Sequence, residues 1–509
     1  MQKSRFLTVL ASSVRAPSLA AALALVAVGG VAVSTTALAA PPVAKSAVAQ
    51  ASAGQLDASF GRANDGTPDG IVNLSLGDGN DTSAAVAVQA DGKMVVVGTS
   101  TSTSTSTVSG TTSSNMVVQR FLPDGTLDVT FGVGTNDGSP DGVVTLSLGD
   151  GEEHGHAVAV QPDGKIVVVG TTTSTQDKSS NIVVARLLPN GQLDTSFGKA
   201  DDGAPDGVVN LSLGKGNDAG NAVALQADGK IVVVGTNTDA GSSNMAVVRL
   251  TKSGELDKTF GVGTDDGTPD GVVSLSLGDG NDAGNAVALQ ADGKVVVVGT
   301  TTSTDKTSNI VVARLLPNGQ LDTSFGKAND GTPDGVVNLS LGDGNDTGNA
   351  VALQADGKIV VAGTNTDAGS SNIAVVRLTK TGALDKTFGV GQDDGTPDGV
   401  VSLSLGKGDD VASAVAVQAD GKVVVAGTTT STDKTSNVVV VRLQPNGKLD
   451  GRFGQDADGT PDGVVNLSLG DGNDTGRALA LQADGKIVVA ADRVNGNSTD
   501  IALVRLLGR

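Results

Sequence analysis

Acidic residues raise the first chemical question. The stretch "DGTPDGVVNLSLGDGND" occupies residues 330–346, and near copies of it recur along the chain. Asp330 and Asp334 precede a short apolar run, and Asp343 and Asp346 follow it. Two chemistries suit such clusters. Asp and Asn oxygens with the carbonyls of Gly-rich loops can surround Ca²⁺, which takes about six to eight oxygen ligands. Two carboxylates a few ångströms apart can also serve as the acid and base of a glycosidase.

Spacing narrows the first option. An extended run separates Asp334 from Asp343 by roughly 25–30 Å at about 3.3 Å per residue, so one ion cannot use both ends. The candidate calcium loops are therefore the G-D-G-N-D turns taken singly, with Asp78 and Asp81, Asp279 and Asp282, Asp343 and Asp346, and Asp471 and Asp474 as ligands. They lack the distal Glu of an EF-hand loop, and Lys215 and Lys407 replace the first Asp in two copies. Asp, Asn and Gly are also the residues that tight turns select, so turn formation is the competing reading. No cofactor other than calcium is suggested.

The two histidines, His154 and His156, lie in "GDGEEHGHAVAV" beside Glu152 and Glu153. Imidazole and carboxylate together suit zinc or nickel, against simple drift within one copy of the repeat. Motifs for a nucleophilic Ser, a zincin or a phosphate loop are absent, and the chain has no Cys. Seven of the nine Phe occupy an L-D-x-x-F-G motif (Phe60, Phe131, Phe197, Phe260, Phe325, Phe388, Phe453), which reads as packing between units. Loop tips then have no aromatic platform for sugars or bases. An Arg recurs after an apolar run (Arg120, Arg186, Arg249, Arg314, Arg377, Arg442, Arg505), and the Asp of L-D-x-x-F-G is its expected partner. At partly exposed positions such pairs are worth about 0–1 kcal/mol each.

The elements that must position these residues follow from the repeat. D-G-x-P-D-G begins at Asp65, Asp137, Asp202, Asp266, Asp330, Asp394 and Asp458, with spacings of 72, 65, 64, 64, 64 and 64. The long first interval holds a Ser/Thr insertion, Thr101–Ser113. Alternation and turn boundaries predict four strands in the unit starting at Asn217: A (Asn221–Gln226), B (Lys230–Gly235), C (Met245–Leu250) and D (Gly271–Leu277). No helical periodicity is present, so the fold class is all-β. Seven four-stranded units fit a single seven-bladed β-propeller, with a β-helix as the runner-up.

The chain opens on a D strand, Ile71–Leu76, and closes on a C strand, Ile501–Leu507. The opening strand can complete the last sheet and close the ring, whereas an open solenoid would expose two edges. Small residues alternate along A, which suits the innermost strand. The D–A and B–C loops should then share one face, and the "DGTPDG", "ADGK" and "PNG" turns the other.

"ALQADGKIVVVGT" and "VVARLLPNGQLDTSFG" (Val183–Gly198, again Val311–Gly326) resemble the delta-60 repeat of secreted and surface bacterial proteins. The resemblance covers all seven units, although "NDGTPDG" is inserted after F-G. It implies a secreted repeat protein and no defined activity, catalytic residue or cofactor.

Lys3, Arg5 and Arg15, the apolar Ala20–Val33 and the A-x-A site at Ala37-Leu38-Ala39 predict a secretory signal over residues 1–39. Residues 40–54 form a linker, and 55–509 the propeller. The chain carries 35 Lys+Arg against 55 Asp+Glu, a net charge of −20. Such acidity disfavours nucleic acid and anionic lipid. The expectation is a secreted or periplasmic monomer with no membrane insertion. It is a non-catalytic scaffold for a protein or cell-surface partner. The alternatives are a carboxylate-based hydrolase in the central channel and a calcium-stabilised structural protein.

Overall fold

The computed structural model describes residues 52–61, 67–77, 79–103, 112–132, 140–148, 151–198, 205–239, 241–261, 270–278, 280–303, 306–326, 334–367, 369–389, 397–454 and 462–509, with the backbone of 26–28 and 31–32. Among these residues strands A to D form seven four-stranded antiparallel blades, each built in the order A-B-C-D. Blade three is typical: Ala219–Leu225, Ile231–Asp239, Ser242–Leu250 and Val272–Leu275. The B–C hairpin is longer than the alternation indicated, because its Ser, Thr and Asn ends pair as well (Asp239 with Ser242). Strand D is shorter than expected, ending at Leu275.

Composition explains the layering. Strand B ("IVVV") is buried on both faces between A, C and the adjoining blades, so it reads as a continuous apolar run rather than an alternating one. Strand A carries Ala at the positions nearest its neighbours, and consecutive A strands touch all round the ring, the last (Thr475–Leu481) against the first (Asp81–Val88). Only a small side chain lets seven strands converge this closely.

Ring closure follows the offset of the chain ends. Ile71–Leu74 supplies strand D of blade seven, pairing Ile71 with Val504 and Leu74 with Ile501 of Ser498–Leu506. Arg505 in this last strand donates from Nε to Asp57 Oδ2 at 2.8 Å and lies 4.3 Å from the Phe60 ring centroid. Opposite ends of the chain therefore complete both the sheet and its ion pair.

Two further strands, Val26–Val28 and Val31–Ala32, pair with the inner edges of blades one and five, opposite Ala85–Ala87 and Val351–Ala352. The rest of the expected signal segment lies outside the described residues. So do the first three or four residues of every D-G-x-P-D-G element from Asp137 onwards, and Asp78 and Asp279.

Candidate functional site at the channel mouth

The residues of G-D-G-N-D divide into separate roles. Its last Asp is fully buried at Asp81, Asp218, Asp282, Asp346, Asp410 and Asp474. In each case Oδ2 accepts the backbone N–H of the Leu two residues beyond strand D: Leu341 to Asp346 at 2.6 Å, Leu277 to Asp282 at 2.7 Å, Leu76 to Asp81 at 2.6 Å. Asp474 takes the amides of Leu469 and Val494. Burial pushes the Asp346 carboxyl above its ordinary range, against the amides of Leu341 and Thr366. Burial does the same at Asp81, opposed by Ser100 and Leu76 and aided by Asp500.

The preceding Asn or Asp reaches the neighbouring blade. Asn217, Asn281, Asn345 and Asn473 accept the N–H of Ser180, Ser243, Ser308 and Ser436, which start strand C of the blade before. Asn80 takes Thr499 in the same way across the closure. Asp343 and Asp471 stay exposed, pointed away from the work of Asp346 and Asp474. Among the described residues no three His, Asp or Glu side chains come close enough to hold one metal ion.

On the opposite face the expected Arg–Asp pairs form in every blade, but they are buried, which corrects the expected partial exposure. Arg377 is representative. Its Nε donates to Asp385 Oδ2 at 2.7 Å, its Nη2 to Thr387 Oγ1 at 3.1 Å, and its Nη1 to the Pro445 carbonyl of the next blade at 2.5 Å. Its guanidinium carbon lies 4.4 Å from the Phe388 ring centroid, a cation–π geometry. Lys358 from the A–B turn approaches the same carboxylate at 3.1 Å. Burial would raise the Asp385 pKa. The Thr387 hydroxyl and amide, the Lys358 ammonium and the Arg377 charge outweigh it and hold the group at about 2. Asp57, Asp257 and Asp322 are held at about 2 by the equivalent groups.

This network also depends on close backbone approach. Gly326 N donates to Thr381 O of the next blade at 3.0 Å. A Cβ on the adjoining Gly382, whose φ is +89°, would lie 2.7 Å from Gly326 N.

The channel mouth is built differently. Strand A slips register against strand B at the same place in all seven blades, for example between Gly220 and Ala222 and between Gly476 and Ala478. Such a bulge leaves one residue unpaired and re-aims its side chain. The bulge residues are Ala84, His156, Asn221, Asn285, Asn349, Ser413 and Arg477, and all of them line one cavity of about 520 Å³ at the mouth, with Thr82, Ser83, Thr99, His154 and Gly155. This lining contains no Asp or Glu.

His154 and His156 thus share the mouth, but the acidic pair beside them divides. Glu152 lies 3.7 Å from the His154 ring, whereas Glu153 is fully buried at the place of the latching Asp. Burial pushes the His156 ring down, and its Nδ1 meets the Gly220 carbonyl at 2.9 Å.

Fold and repeat define a tandem-repeat β-propeller. Seven stretches, residues 89–131, 161–197, 226–260, 290–325, 354–388, 418–453 and 482–508, match the model of the domain of unknown function (DUF5122) β-propeller. No curated protein matches the chain. Solved structures similar at fold level include the following three. A protein of unknown function from Dyadobacter fermentans is 11% identical, with a TM-score of 0.39 over 86% of this chain and 100% of that one. The β-propeller domain of the trilobed protease from Pyrococcus furiosus is 10% identical, with a TM-score of 0.37 over 84% and 94%. Drosophila plexin A, solved in complex with semaphorin 1b, is 11% identical, with a TM-score of 0.40 over 89% and 88%.

Proposed function

We propose that the chain is an exported, delta-60-like, non-catalytic scaffold that meets its partner through the face carrying the D–A and B–C loops. The observation that carries this reading is the fate of the polar residues. The recurrent buried Asp and Arg groups, and the latching Asn side chains, are spent on joining strands and blades. The channel-mouth lining, where a hydrolase would need two carboxylates, has none. The B–C loops, in contrast, differ among blades in length and composition, from "TSTDKTSN" to "TDAGSSN". Calcium at the exposed Asp343 and Asp471 remains a separate reading, and it requires ligands beyond the buried Asp346 and Asp474.

Two measurements on the purified chain test the proposal. One is attachment to intact bacterial cells or wall fragments, with the B–C loops of blades two, four and six native or replaced by Gly-Ser of equal length. The other is release of reducing ends from soluble polysaccharides. Attachment that falls with the loops, without hydrolysis, is expected. Hydrolysis abolished by replacing one carboxylate would overturn the scaffold.

A further inference from the structure

The bulge ring is where near-identical blades stop being alike. Strand A otherwise repeats closely, with an Ala after the bulge in every copy, while the bulge residue changes from Asn to His, Ser, Ala or Arg. Two sectors of the ring differ in polarity, with Ser413 of blade six between them.

Blades two to five form the first. Each bulge side chain meets the carbonyl of the residue before the next bulge at 2.9 Å: His156 to Gly220, Asn221 to Gly284, Asn285 to Gly348, and Asn349 to Ala412. A carbonyl only accepts, so the amide nitrogens and a protonated Nδ1 must face it. The three Asn Oδ1 atoms are left for the cavity. The His156 ring, kept neutral by burial, leaves Nε2 as an acceptor beside them. This arc therefore calls for hydrogen-bond donors.

Blades seven and one form the second sector. Arg477 occupies the bulge, and Ala84 beside it leaves space. In the other six blades strand B holds a Thr where blade seven has Asp492. The Thr hydroxyl of blades one and six takes the N–H of the next blade, from Gly155 to Thr99 and from Gly476 to Thr428. Asp492 keeps that inter-blade task, accepting from Ser83 N at 2.7 Å and Ser83 Oγ at 3.0 Å, and also receives Arg477 Nε at 2.7 Å. The guanidinium is thereby fixed from behind by a buried carboxylate. Among the described residues no hydrogen bond runs from Nη1 or Nη2 to the protein. Arg477 and Asp492 are a paired departure from the repeat, and their joint effect is to place an oriented guanidinium at the cavity wall.

We propose that the channel mouth binds a small acidic saccharide. Its carboxylate or phosphate sits on the Nη groups of Arg477, and its hydroxyls donate to Asn221, Asn285, Asn349 and His156. A planar guanidinium engages either anion in bidentate fashion. The roughly 520 Å³ cavity suits one or two sugar rings. The lining holds no Phe, Tyr or Trp, so affinity comes from hydrogen bonds and the Arg477 charge rather than from ring stacking.

This inference goes beyond the scaffold reading and is tested separately from it. The test is an NMR titration of the purified chain with digalacturonate, glucose 6-phosphate, maltose and glutamate, with the probe followed for conversion. At least one acidic sugar should bind ten-fold or more tightly than maltose or glutamate. A preference for digalacturonate assigns a carboxylate ligand, and one for glucose 6-phosphate assigns a phosphate ligand. Arg477→Asn with Asp492→Thr, which gives blade seven the pair that blades three to five carry, should weaken binding at least ten-fold at an unchanged melting temperature. Should that pair disturb folding, Ala84→Leu, which leaves the ion pair intact, must abolish binding by filling the mouth. Failure of both acidic sugars to bind, maltose or glutamate binding as tightly, or undiminished binding by the variants would overturn the site and leave the scaffold standing. Binding followed by conversion would support the site and overturn the scaffold.

Discussion

The two faces of the ring treat the same repeat in opposite ways. On the turn face, an Arg, an Asp and a Phe recur in every blade with the same contacts, from Arg120 with Asp128 and Phe131 to Arg505 with Asp57 and Phe60. At the channel mouth, one backbone device, the bulge, recurs just as faithfully while its side chain changes from blade to blade. The first pattern is expected where each blade must fit the next. The second is expected where the blades jointly face something else. Uniformity marks the seams of this molecule, and variation on a fixed backbone marks its site.

The comparison can be broken most severely at a seam. Asp385→Ala removes the partner of the buried Arg377 and Lys358. Uncompensated buried charges of this kind cost about 3–5 kcal/mol, so chemical denaturation should show a loss of that order. Asp346→Asn should cost well under half as much, because the Asp346 carboxyl is already pushed towards its neutral form by burial. Equal losses would erase the distinction between a charge pair and a backbone latch.

Gly382→Ala tests the backbone approach between blades. The left-handed conformation alone costs a side-chain-bearing residue about 1–3 kcal/mol, and the contact with Gly326 N adds to it. A clear fall in the unfolding midpoint is expected.

Acidity should find the seams before the mouth. The Asp57, Asp257, Asp322 and Asp385 carboxyls sit at about 2, below the ordinary 3.8. A depressed folded-state pKa gives stability that is present above about pH 4 and lost as the pH falls towards 2. Asp81 and Asp346, raised by burial, act with the opposite sign. Their contribution is complete below the unfolded value and is lost as the pH rises through the folded one. Unfolding midpoints measured between pH 6 and 2 should therefore fall mainly below pH 4, and Asp385→Asn should blunt that fall.

The smallest expected effect lies in the B–C turns. Lys178, Lys306 and Lys434 hold positive φ values of 61°, 69° and 67°, where blades three and five place Gly241 and Gly369. Lys306→Gly should raise stability by about 0.5–1 kcal/mol. A loss instead would show that the lysine makes a contact its backbone strain conceals.

Fold and closure were legible because both are pattern-level facts: a 64-residue period, alternating strands, and a D strand opening a chain that ends in C. The Arg–Asp pairing was legible for the same reason, since both residues recur at fixed places. Its burial was not. It depends on a Phe ring and on a carbonyl from the next blade, such as Pro445 for Arg377, which no single unit contains. The acidic turns read as punctuation, but the division of labour between Asn345 and Asp346 turns on which way adjacent side chains point.

The mouth was missed for a related reason. Beginning strand A at Asn221 placed the bulge at the strand's edge, whereas the strand starts at Ala219 and slips register at Asn221. One signal was present in the sequence: His156 stands where three of the other six units have Asn. Reading that column across all seven units would have found Arg477 as well.

Amide hydrogen exchange with and without a saturating acidic sugar, digalacturonate or glucose 6-phosphate, tests the central claim most directly. The account predicts added protection at Thr82–Ser83, His154–His156 and the strand around Arg477, with no change around Arg377 and Asp385 on the opposite face. Protection spread evenly over both faces, or confined to the turn face, would contradict it.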